Sequence, residues 1–207
     1  MAGARLNSPS PFAYPAQIHT RRHGPVGYSH YRQYRNWLRD EFTFRCVYCL
    51  RRENWLTLSA DWEIDHFLPK SDHPDVARDY DNLVYACNRC NRTKAAKYLP
   101  DPERFAYGQC IRVDDEGRIH WLTEEGRDLI EALGLDDEDY TRMRRKVLSW
   151  LREARPGGKI YTDLLGFPDN LPDLSKEDEP PLGNKRPHGI GDSWFERSKR
   201  PRFPRFY

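Results

Sequence analysis

The sequence contains no apolar run near the roughly 18 residues that a membrane-spanning helix needs, which reads against a helical membrane protein. Met1 to Ala16 include no apolar centre of a secretory signal, so the expected compartment is the cytoplasm. Apolar residues are scarce, at 38%, where globular domains usually reach ~45–50%. The core is therefore expected to be modest, with part of the chain outside it. Aromatics make up 13%, too many for a wholly disordered chain. Charge of one sign is not in excess overall, since the formal net charge is only +2. Its distribution is uneven. Residues 1–60 hold nine Lys/Arg against three Asp/Glu, and residues 183–207 hold seven against two, while the middle is mildly acidic. Basic ends suit a polyanion, but charge alone is a weak signal.

Cysteine is sparse but patterned. Cys46 and Cys49 form one C-x-x-C pair, Cys87 and Cys90 a second, with 37 residues between them. Two such knuckles supply the four thiolates of a tetrahedral zinc site. The alternative is two redox or disulfide pairs. Disulfides are disfavoured without an export signal, and a thioredoxin-like reading lacks its βαβ context. Cys110 is left over and reads as a small buried apolar residue.

Residues 1–27 are rich in Pro and Gly and read as an irregular arm. Ser29 is a candidate cap for a helix to about Phe42, with Tyr31, Tyr34, Trp37, Leu38 and Phe42 at helical spacing. Trp55 to Leu68 read as one or two strands, Asp75 to Asn82 as a polar loop, and Asn88 to about Lys97 as a helix. Asp114-Asp115-Glu116-Gly117 is a turn signal between two short strands. Thr123 caps a helix ending at Gly134, and Asp136 opens another with the stripe Tyr140, Met143, Val147, Trp150 and Leu151, read as core. The arginines of that last helix read as internal i,i+4 pairs. The last residues interleave basic and aromatic groups, a pattern that suits a phosphate backbone with stacked bases or a partner protein.

The chemistry lies between the knuckles. Glu63-Ile64-Asp65-His66 is followed by Asp81-Asn82-Leu83, and the second knuckle continues as Cys90-Asn91-Arg92-Thr93-Lys94. A carboxylate and an amide oxygen are hard ligands that suit Mg²⁺ or Mn²⁺. A neutral imidazole beside them can deprotonate water. Arg92 and Lys94, with Lys70, add positive charge where a phosphate could sit. Glu63 shares a strand face with Asp65 but reads more simply as solvated or salt-bridged, and His73 as a surface residue.

Over about Phe44 to Lys97 these motifs resemble the HNH endonucleases, or His-Me finger nucleases, of the four-cysteine type. The resemblance implies an α+β fold with a zinc-stabilised ββα-metal core, flanked here by helices, a small β-hairpin and irregular termini. It implies that His66 is the general base, that Asp65 and Asn91 bind a catalytic Mg²⁺ or Mn²⁺, and that Asn82 positions the loop and the base. Cys46, Cys49, Cys87 and Cys90 would hold structural zinc. Asn91 stands where the family name expects a final His. The expected organisation is an arm at 1–27, the nuclease core with its preceding helix at 28–100, a hairpin and helical extension at 101–167, and a Pro-rich, partly basic tail at 168–207. The implied activity is metal-dependent phosphodiester hydrolysis, with DNA favoured over RNA as substrate and with host defence or restriction as the role. A homodimer or protein partner is compatible with this. The rival readings are a non-catalytic zinc-dependent nucleic-acid-binding module and a latent effector awaiting a partner.

Overall fold

A computed structural model describes residues 10–55 and 62–207. The part of the expected strand at 56–61 lies outside the described residues, as do residues 1–9 of the arm. The remainder of the arm is irregular but not loose. Phe12, Tyr14, Arg21 and His23 are buried. The Arg21 guanidinium donates to the Leu83 carbonyl at 2.8 Å, so the arm is fastened to the centre of the molecule.

The first helical segment starts one residue later than expected. His30, not Ser29, caps it: the imidazole accepts the Arg32 N–H at 3.2 Å, while the Gln33 side chain accepts the His30 N–H at 3.1 Å. This reciprocal capping satisfies two N–H groups that the helix cannot. A 3₁₀ turn, Tyr31–Tyr34, then runs into α1, Arg35–Glu41. Tyr34, Trp37, Leu38 and Glu41 recur at helical spacing and are buried.

β1, Trp62–His66, pairs antiparallel with β2, Leu83–Cys87, and His66 lies opposite Leu83. α2, Asn88–Lys94, continues directly from β2, which gives the strand–strand–helix order ββα. α2 stops short of the expected Lys97 because Ala95 takes a φ of 49°, and its N–H closes back on the Asn91 carbonyl at 3.0 Å. α1 packs on β2, and α2 packs on both strands.

Beyond the core, the short helix α3, Tyr107–Cys110, leads into the hairpin of β3, Ile111–Val113, and β4, Ile119–Trp121. Gly117 turns the hairpin with a φ of 79°. α4, Glu124–Leu133, has Thr123 as its N-cap and a left-handed Gly134 at its end, as the sequence pattern indicates. α5, Glu138–Glu153, buries Tyr140 and Val147. Trp150, expected in the core, is 43% exposed. Arg144, expected in an i,i+4 pair, is instead buried and donates to the carbonyls of Gly117 and Leu135, both at 2.7 Å.

α6, Lys159–Leu165, precedes the Pro-rich segment, which is packed onto the molecule and carries α7, His188–Gly191, and α8, Trp194–Ser198. Phe167 gathers Trp194, Phe203 and Tyr207 around it at centroid distances of 4.6–4.9 Å. Arg52 lies 4.1 Å over the Tyr207 ring. The terminal aromatics are thus spent on packing, not presented for base stacking, although Arg202 and Arg205 stay exposed. The described residues are mixed α+β, and no helix among them is long and apolar enough to cross a membrane.

Candidate active site

The chain leaves α1 through Thr43 and Phe44, both with positive φ, and makes the first knuckle. Leu50 closes it, with its N–H on the Cys46 carbonyl at 3.0 Å and a φ of 59°. Three non-glycine residues in this conformation cost roughly 1–2 kcal/mol each. A zinc bound by four thiolates would contribute roughly 10–16 kcal/mol on the scale of zinc-finger peptides, enough to offset that cost. Cys87 ends β2, and Cys90 stands in the first turn of α2. The four Sγ atoms lie within 4.8 Å of one another and all four residues are buried. Cys49 Sγ and Cys87 Sγ are 3.7 Å apart. Zn–S bonds of about 2.3 Å in a tetrahedron place neighbouring sulfurs about 3.8 Å apart. The donor set and its spacing fit structural zinc, and no disulfide joins the five cysteines.

Two tyrosines that the spacing rules overlooked complete this centre. The Tyr140 hydroxyl lies 3.1 Å from Cys90 Sγ and so ties α5 to the second knuckle. Tyr48, between the first two cysteines, donates to Asp65 Oδ2 at 2.6 Å. The C-V-Y-C spelling is the only sequence signal for Tyr48, and none marks Tyr140.

Consecutive residues of a strand point to opposite faces, and the Asp-His pair is divided accordingly. Asp65 faces α2. It is buried, with Oδ2 on Tyr48 and Oδ1 on Lys94 Nζ at 3.3 Å. Burial pushes its carboxyl up to about 6, aided by the Glu63 charge and opposed by Lys94 and Tyr48. Lys94 is fully buried and also donates to the His66 carbonyl at 2.8 Å. This corrects the expectation that Lys94 meets a phosphate: its ammonium has turned inward to balance a buried carboxylate.

Glu63, on the same face, was expected to be solvated or salt-bridged; it is half-buried and hydrogen-bonded to two amides. Its carboxylate accepts from Asn88 Nδ2 at 2.8 Å and from Asn91 Nδ2. With the amide nitrogen of Asn91 committed to Glu63, the amide oxygen is left as the free donor atom. Glu63, Asp65 and Asn91 form a set of hard oxygen donors whose chemistry fits a divalent ion such as Mg²⁺ or Mn²⁺.

His66 faces the other way. Its Nε2 is 3.0 Å from the Ala77 carbonyl, and Tyr31 packs against the ring. A carbonyl only accepts, so Nε2 carries the hydrogen and Nδ1 keeps its lone pair. Burial holds the imidazole below its ordinary value, the Ala77 carbonyl opposes this, and Lys70 and Lys94 add to the lowering. Asn82 sets the loop that supplies Ala77. Its Oδ1 accepts the Leu68 N–H at 2.8 Å, and its Nδ2 donates to the carbonyls of Leu68 and Val76 at 3.2 and 3.3 Å. One buried amide thereby joins the two ends of the loop between β1 and β2. Lys70 and Arg92 are exposed.

A strand–strand–helix unit whose knuckles place four thiolates together is the setting of a zinc-binding HNH domain, and residues 46–97 match the family model for HNH endonuclease. That segment is what the chain shares with the HNH endonuclease family. Over 50 residues the chain is 40% identical to the Septu protein PtuB of Bacillus thuringiensis. The aligned stretch is 24% of this chain and 19% of that relative.

Proposed function

We propose that the protein is a metal-dependent endonuclease that hydrolyses phosphodiester bonds of DNA. The observation that carries this reading is the His66 geometry: Nε2 faces the Ala77 carbonyl at 3.0 Å, and Nδ1 is left as a proton acceptor. His66 takes the proton from the attacking water through Nδ1, and the Ala77 carbonyl steadies the imidazolium that results. Its depressed proton affinity keeps His66 neutral, and so ready to act, at neutral pH. Asp65 and Asn91, with Glu63 beside them, would hold the divalent ion by their oxygens. When bound, the ion neutralises charge on the scissile phosphate and the leaving oxygen. Lys70 and Arg92, both exposed, are the side chains for neighbouring phosphates. One such centre cuts one strand per event, so double-strand breaks need a dimer or two successive nicks.

A place in host defence or restriction, and control by a protein partner, belong to this proposal through the resemblance to small HNH proteins. One observation favours a second reading, a zinc-dependent nucleic-acid-binding module. Asp65 already has a counter-charge in Lys94, so its carboxylate is balanced without a metal. Incubating the zinc-loaded protein with supercoiled plasmid and with single-stranded RNA, in Mg²⁺, in Mn²⁺ and in chelator, decides between them. Metal-dependent nicking of the plasmid is expected. Plasmid binding without cutting in either metal would move the assignment to the binding module.

A further inference from the structure

The segment that matches the HNH family begins at Cys46, yet His66 is held partly from outside it. Tyr31, in the 3₁₀ turn Tyr31–Tyr34, meets the His66 ring edge-to-face, with centroids 4.8 Å apart and planes at 67°. His30 stacks on Tyr31, at 5.0 Å and 25°. The turn is itself well fixed. His30 and Gln33 close a capping box at its start, and Tyr34 is buried between Tyr28 and Tyr80, at 5.0 and 5.5 Å. The Tyr34 hydroxyl donates to the Arg78 carbonyl at 3.3 Å. Arg78 follows Ala77, whose carbonyl orients His66. One rigid turn thus touches both the imidazole and the loop that carries its hydrogen-bond acceptor.

A single hydrogen bond to Ala77 leaves an imidazole free to rock about its side-chain torsions, whereas an aromatic edge packed on its ring removes that freedom. We infer that the Tyr31–Tyr34 turn is a positioning element for the general base, with the Tyr31 ring fixing the direction in which His66 Nδ1 points. This rests on the endonuclease reading above. It assigns a role to residues that the family segment does not include. The ring is what acts, so Phe at position 31 replaces Tyr and Ala does not.

The test compares Tyr31→Ala, Tyr31→Phe and wild type by plasmid nicking and by NMR of the His66 ring protons, assigned by their loss in His66→Gln. Tyr31→Ala is expected to lower kcat about 10- to 100-fold with KM little changed, since small misplacement of a catalytic group costs on this scale. Tyr31→Phe is expected to restore most of the rate. The His66 ring resonances should shift in Tyr31→Ala and stay near wild type in Tyr31→Phe. A loss confined to KM, or a Phe variant as slow as Ala, would overturn the inference. Unchanged NOEs between the His66 ring and the loop around Ala77 in a folded Tyr31→Ala would overturn it whether or not the protein cuts DNA, because these NOEs report where the ring lies and not the lost Tyr31 ring current. If wild type does not cut, the endonuclease reading fails, and the NOEs from the His66 ring to the Ala77 loop decide what Tyr31 does.

Discussion

Adjacent side chains of β1 do different work because a strand divides its neighbours between two faces. His66 is poised by a carbonyl, while Asp65 is neutralised by Lys94 within a buried pair. Asn82 shows how much a single buried amide can hold, with three hydrogen bonds bridging Leu68 and Val76. At about 1 kcal/mol for each bond, Asn82→Ala should lose about 3 kcal/mol of stability. The loop carrying Ala77 should loosen as well, so nicking should slow by more than the folded fraction accounts for. Urea titration, read beside nicking rates in buffer, checks both. The cysteine cluster was legible from motif order, as were the places of His66 and Asn82 at the two ends of the loop between β1 and β2. The inward turn of Lys94 was not, because sequence spacing puts a basic residue on a helix without saying what faces it. Glu63 was misjudged for the same reason: its partners, Asn88 and Asn91, lie 25 and 28 residues away.

Among the elements, those with local punctuation were the easiest to foresee. Thr123 and Gly134 bracket α4, and Gly117 turns the hairpin, because caps and turns are written into neighbouring residues. α5 was foreseen as a helix but not as a support for the metal centre. The Tyr140 hydroxyl on Cys90 gives it that role. Partners of metal ligands typically contribute 10- to 100-fold in metal affinity. Tyr140→Phe should therefore fold and bind zinc but release it to a competing chelator about tenfold more readily. A zinc-binding isotherm equal to wild type would show that the contact does not support the site.

At the scale of the whole molecule, the arm and the Pro-rich C-terminal segment complete the domain. Composition suggested an irregular arm draped on the domain, and a Pro-rich, partly basic tail outside the core. Isolated aromatics such as Phe12, Phe167 and Tyr207 nevertheless find partners far away in sequence. The arm meets α1 in a buried polar network. Glu41 accepts the Arg22 and His23 N–H groups and lies 3.3 Å from the His19 ring. Burial alone would raise its carboxyl. The His19 hydrogen bond, the His19 and His23 charges and the Arg22 N–H outweigh burial and lower it from 4.5 to about 2. A folded-state value below the unfolded one stabilises the fold above pH 4.5, and that stability is lost as pH falls through about 2. The shift corresponds to about 3 kcal/mol. Thermal melts from pH 7 to pH 2 should show wild type more stable than Glu41→Gln at neutral pH, with the gap closing below pH 4.5. A gap that does not vary with pH would place the effect in packing.

The proposed cleavage depends on His66 as the general base of the ββα unit braced at its four cysteines. Single-turnover nicking by His66→Ala, with zinc content and fold verified in the same sample, tests it most directly. A loss of at least about 100-fold is expected, the scale of a missing general base, with four-thiolate zinc retained. Cleavage within about threefold of wild type, given that same scale, would contradict it and remove His66 from the reaction.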